Sequence, residues 1–140
     1  MSAVRVTLER QTAVAFSVKG GTGHSTTLDG PAHIGGSEAG LRPMELMLAG
    51  IAGCASVDVV HILNKGRQPF EHLSVEATGH RADAIPAVFT RIELHFVATG
   101  TLKEDRLARA AMLAVTQYCS AAASLHPDIE VSWTVEVRAP

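Results

Sequence analysis

The chain has 140 residues, 46% of them apolar and 19% charged, with a formal net charge of −2 at pH 7. That length predicts a single domain, residues 1–140, able to bury about two thirds of its unfolded surface. The composition excludes a disordered chain, and the 12 Lys and Arg are too scattered to form the basic face that nucleic acid or anionic lipid requires.

Aromatic residues make up only 4%, so the core is expected to be Val, Leu, Ile, Ala and Met. The opening Met1–Arg10 has no basic start followed by an apolar stretch, as a secretory signal would. The uncharged run Leu46–Val57 is about twelve residues long, short of a bilayer span. A soluble, cytoplasmic protein is expected, with no membrane or nucleic-acid partner. In that compartment a structural disulfide is not expected.

Alternation of Val4, Val6 and Leu8, and again of Val14, Phe16 and Val18, predicts two half-buried strands. Gly20–Gly23 breaks the pattern, and His24 to Leu28 suits a third strand. Residues 30–42, with Gly35, Gly36 and Gly40, read as a loop. Pro43 fits the first turn of a helix, where its missing N–H costs nothing, and Glu45 complements the positive helix end. The helix is expected to run to about Lys65, with Gly66 to stop it. Its apolar residues cover most of the circumference, which marks a central, buried helix. At about 100° per residue, Met47, Cys54, Asp58, His61 and Lys65 project to nearly one side, and Glu45 to the other.

His72–Thr78 and Phe89–Val97 alternate as two further strands. Thr101 and Glu104 have the spacing of a capping box, opening a second helix from Lys103 to about Tyr118. A short helical turn is expected near Cys119, and Ile129–Val137 supplies the last strand. The order βββ-α-ββ-α-β with hairpin-length connections predicts an α+β fold built mainly on antiparallel sheet.

Cys54 and Cys119 are the only thiols, each inside an apolar segment. By position alone they are either buried hydrophobes or a redox pair. Seven histidines lie from His24 to His126 with no H-x-H, HExxH or C-x-x-C, so no metal site is expected. Gly50 and Gly53 invite close approach of another helix, or of an apolar ligand.

The segment Arg42-Pro-Met-Glu-Leu46, followed by Ala49-Gly-Ile-Ala-Gly-Cys54-Ala-Ser-Val-Asp-Val-Val60, resembles the first cysteine helix of the OsmC/Ohr family. Phe89–Phe96 and Gln117-Tyr-Cys-Ser120 resemble its second-cysteine half. Thr22–Ser25 and Leu28–Gly30 are similar to its YhfA-like branch. The resemblance implies an OsmC-like fold, with sheets wrapped around two central helices in an intertwined homodimer. It also implies thiol-dependent reduction of organic hydroperoxides in oxidative-stress defence. Cys54 would be the peroxidatic thiol and Cys119 the resolving one, with an external dithiol as reductant and no bound cofactor.

Two departures stand beside the match. Where the peroxidatic branches carry a glutamate directly after the helix-opening proline, this chain has Met44, and Glu45 is one place later. The glycine-rich Gly20–His24 contains no arginine. Glu45, His24 and Arg42 are therefore the candidate supporting residues, each with a plain alternative as helix-end or loop residue. The departures also leave open a dimer with little peroxidase activity that binds a small apolar or thiol-bearing ligand.

Overall fold

The computed structural model describes residues 3–140. The chain forms two compact units, the first running to Met47 and the second spanning Leu48–Pro140. The architecture is α+β, with two three-stranded sheets and a few helices.

In the first unit, β1 (Val6–Thr12), β2 (Ala15–Gly20) and β3 (Ser25–Leu28) form an antiparallel sheet in sequence order. The three predicted strands are present, but β1 is exposed along its whole length, with Val6 and Leu8 at 55% and 47%. Alternation creates an apolar strand face; it does not by itself provide a surface to cover that face.

The loop after β3 is organised by Asp29, the one buried charged side chain among the described residues. Its Oδ1 accepts the Gly30 N–H at 2.8 Å, and Oδ2 accepts those of Ser37 at 2.8 Å and Ala39 at 3.1 Å. A Cβ on Gly36 would lie 1.7 Å from the Gly30 carbonyl oxygen, and one on Gly40 2.1 Å from that of Thr27. Two of the three glycines read as loop residues, Gly36 and Gly40, are thus points of backbone-on-backbone approach.

Helix α1 (Pro43–Lys65) has the predicted limits. Its stop differs from the expected glycine. Arg67, not Gly66, takes the left-handed conformation, with φ 55°. Its N–H bonds Asn64 O at 3.1 Å while Gln68 N–H bonds Leu63 O at 2.9 Å. This is the paired 5→2 and 6→1 closure that satisfies the last carbonyls of a helix, with arginine where glycine is commonest.

In the second unit, β4 (His72–Arg81) pairs antiparallel with β5 (Phe89–Thr99). The last strand, β6 (Glu130–Arg138), lies parallel to β5, so one of the sheet's two pairings departs from the antiparallel expectation. The cause is the crossover through α2 (Glu104–Leu113), which packs on β6. A helix between two strands returns the chain in the same direction.

Ile92, Leu94, Phe96 and Ala98 on one face of β5 are buried with Leu107, Ala110 and Ala111 of α2. The Thr101–Glu104 capping box is not formed: the helix begins after Lys103, without a side-chain cap. Nor does α2 reach Tyr118 as a regular helix. After Leu113 the backbone widens into a π turn, Ala114–Tyr118, and a short α3 (Ser120–Ala123) follows Cys119.

The backbone donors of Ser37 and Ala39 hold the Asp29 carboxyl below its ordinary value of 3.8. Its stabilising effect is therefore complete at neutral pH and is lost as pH falls through that lowered value. Asp29→Asn should lower the thermal midpoint at pH 7, and the difference from the parent should close below about pH 4. A difference that persists unchanged to lower pH would mean the carboxylate charge is not what holds the loop.

Candidate functional site

The 23-residue α1 carries Cys54 on the flank of its buried stripe. Ile51, Ala55, Val59 and Leu63 recur every fourth residue and are buried, which sets the rotation of the helix. Cys54 is one residue before Ala55, and Asp58 one before Val59, so both lie about 100° around from that stripe. Cys54 is half-buried and free.

Cys119 reaches the same place by another route. In the π turn, Cys119 N–H bonds Ala114 O at 2.7 Å, and the wider turn ends the α2 register directly at the cysteine. Cys119 is 2% exposed, and its Sγ lies 3.8 Å from Ile51 O, one turn before Cys54 on α1. The two free thiols are thus neighbours, close enough for the Cys54 side chain to act on Cys119. Spacing along the chain left this undecided; the packing of the π turn on α1 decides it.

Two opposed effects set the acidity of Cys119. Cys119 caps α3, and its sulfur accepts the Ala122 N–H at 3.3 Å, which favours the thiolate. Burial opposes this and is the larger effect, and the Cys54 thiol beside it adds to the rise. The net result is a thiol held above its ordinary value of 9.0. The groups that act on it are backbone N–H groups of Ala121 and Ala122 and the other thiol, none of them cationic.

The three candidate supporting residues belong to the first unit. Glu45 Oε1 accepts the Arg42 N–H at 2.8 Å, the return half of a capping box at the start of α1. Its carboxylate therefore has a helix-end task. His24 is exposed and closes the β2–β3 turn through its carbonyl, which accepts Gly20 N–H at 2.9 Å. Among the described residues, the Arg42 side chain makes no ion pair.

One feature lay beyond sequence reasoning. A cavity of about 550 Å³ opens one turn past Cys54, bounded by Asp58, His61 and Lys65 of α1 and by Arg109 and Tyr118. The α1 residues share the Cys54 face and were legible by helical spacing. Arg109 and Tyr118 had no such signal, because only the fold of α2 and the π turn onto α1 brings them there. Among the described residues, no group of three or more His, Cys, Asp or Glu side chains is placed to hold a metal ion.

A family model described as OsmC-like protein matches residues 35–134. Protein YhfA of Escherichia coli K12 is 36% identical over 127 residues, covering 90% of this chain and 92% of that protein. Among solved structures, a hypothetical protein from Aquifex aeolicus VF5 is 34% identical with a TM-score of 0.83, and 99% of each chain is covered. An organic hydroperoxide resistance protein OsmC from Legionella pneumophila has the same fold at a TM-score of 0.73 and 18% identity, covering 97% of this chain and 98% of that one. The chain belongs to the OsmC-like family.

The two thiols should differ in reactivity because one is buried and held protonated. Iodoacetamide at neutral pH is expected to modify Cys54 roughly tenfold or more faster than Cys119, as read by mass in Cys119→Ser and Cys54→Ser variants. Equal rates would contradict the burial and the raised pKa of Cys119.

Proposed function

We propose that this protein reduces organic hydroperoxides with the Cys54–Cys119 pair, in the cytoplasm and at the expense of an external dithiol. The observation that carries this reading is the meeting of the only two thiols of the chain, one half-buried and one buried, beside the same turn of α1. Membership of a family that includes proteins named for organic hydroperoxide resistance supports it.

In this reading Cys54, as thiolate, attacks the terminal peroxide oxygen and the O–O bond breaks. The alkoxide leaves as the alcohol on taking up a proton, and Cys54 becomes a sulfenic acid. Cys119 then gives up its proton and attacks the Cys54 sulfur. The S–O bond breaks, water leaves, and a disulfide forms. An external dithiol restores both thiols by exchange and is itself oxidised.

The intertwined homodimer belongs to the same proposal. At 23 residues, with a mean hydropathy of 1.9 over its most apolar window, α1 is long and apolar enough to cross a membrane by length and composition alone. The shorter expectation counts only the uncharged run, whereas Glu45, Asp58 and Lys65 do not interrupt the helix. Only 22% of that window is buried within the chain, Val57 is 70% exposed, and a Cβ on Gly50 or Gly53 would meet nothing within 4 Å. A second copy laid against this small-residue face would cover it. Sedimentation should then give twice the 14.8 kDa chain mass, and Val57→Glu should shift the population to monomer. A monomeric parent protein would refute the dimer.

A second reading is a dimer with little peroxidase activity that holds a small apolar or thiol-bearing ligand. It draws on the absence of a cation among the groups that act on Cys119 and on the engagement of Glu45 with Arg42. One experiment separates the readings. Mixed with cumene hydroperoxide, the reduced protein should lose two hydrogens in intact mass, and neither Cys→Ser variant should do so. Because Cys119 is held above 9.0, disulfide formation should accelerate as pH rises toward and past that value, up to tenfold per unit. Thiols left unchanged, or a slow sulfinic acid on Cys54, would favour the second reading.

A further inference from the structure

The cavity beside α1 gathers positive charge that the thiol chemistry does not use. Of its lining residues, His61 and Lys65 lie about one turn apart on the same face of α1, and Arg109 comes from α2. Neither the Lys65 ammonium nor the Arg109 guanidinium makes an ion pair among the described residues, and His61 makes none with Asp58. Asp58 is the single acid in the lining, and its Oδ2 has essentially no accessible surface. At most one oxygen of that carboxylate therefore faces the open space. Lys65 and Arg109 against Asp58 leave the lining one positive charge in excess while His61 is neutral.

The rest of the wall is apolar in part. Ile62 and Leu113, both half-buried, line the same space. The volume of about 550 Å³ lies in the range of small-molecule sites. Excess positive charge disfavours a cation and suits a single negative charge. A hydrated inorganic ion would leave the Ile62 and Leu113 surface wet, whereas hydrocarbon would cover it. Lys65 and Arg109 are exposed and long, so each can swing onto an anion in the cavity without disturbing its helix.

We propose that this cavity binds a small carboxylate with an apolar body. The carboxylate accepts charge-assisted hydrogen bonds from Lys65 and Arg109, and the hydrocarbon lies on Ile62 and Leu113. Both parts are needed: a neutral molecule of the same shape leaves the two cations unpaired, and a bare carboxylate leaves the apolar wall uncovered. The site stands independently of the peroxide reading, since neither Cys54 nor Cys119 is part of the lining.

The test uses the full-length, ¹⁵N-labelled protein and three probes. They are 3-phenylpropionate, the neutral 3-phenylpropan-1-ol with the same body, and propionate with almost none. 3-Phenylpropionate should shift the amide resonances around His61, Lys65 and Arg109, with a Kd about fivefold or more below that of either other probe. Lys65→Gln and Arg109→Gln should each weaken 3-phenylpropionate about three- to fivefold and leave the alcohol unchanged. Raising salt from about 0.02 M to about 0.5 M should likewise weaken the acid and spare the alcohol. Leu113→Ala should weaken both. Cys54→Ser should alter none of the three, so a failed peroxidase assay does not decide this result. An alcohol that binds as tightly as the acid, acid binding that neither charge variant alters, or no shifts around these residues at tens of millimolar would overturn the proposal.

Discussion

Burial of the stripe Ile51, Ala55, Val59 and Leu63 is the constraint on which the chemistry of this chain depends. A helix with apolar residues on most sides has no preferred rotation of its own. Once that stripe is buried the rotation is set, and Cys54 and Asp58 are turned to one flank about 100° away. The same turn offers Ile51 O to the Cys119 sulfur. The thiol pair and the charged cavity are thus consecutive levels of one helix flank, the first at Cys54 and the second beginning at Asp58.

The second thiol depends on a local departure from regular helix. A continued α2 would carry the chain past Leu113 in the α-helical register; the π turn takes one more residue and breaks that register at Cys119. The cost of burying a sulfur there is visible in its acidity. An N–H from α3 favours the thiolate, but desolvation and the neighbouring thiol outweigh it, so Cys119 is kept protonated. In a two-thiol mechanism such a group suits the later step, in which it needs to react only with a sulfenic acid held beside it. It suits the first attack on peroxide poorly.

Glu45 illustrates how a motif departure can be read from the structure. One place removed from the family position, it closes a capping interaction on Arg42 instead of standing free. Asp29 is comparable: its carboxylate, beside a glycine-rich loop, is occupied by three backbone donors. Asp58 is different, because one of its oxygens is buried and unpartnered.

Much of this was legible from residues alone. The alternation of Phe89–Thr99, the Pro43–Lys65 helix and the α+β order follow from side-chain periodicity, since period 2 and period 3.6 are local properties of the backbone. The shared face of Cys54, Asp58, His61 and Lys65 follows from the same rule. Sequence also named Cys119 as the second thiol, but not that it would meet the first. That meeting, the parallel placement of β6 on β5, the exposure of β1 and the arrival of Arg109 and Tyr118 beside Asp58 all join residues far apart in the chain. They are set by packing of whole elements, for which local periodicity carries no information. The sequence determined which groups are available for chemistry; tertiary structure decided which of them are neighbours, because distance in space is fixed by burial and not by spacing along the chain.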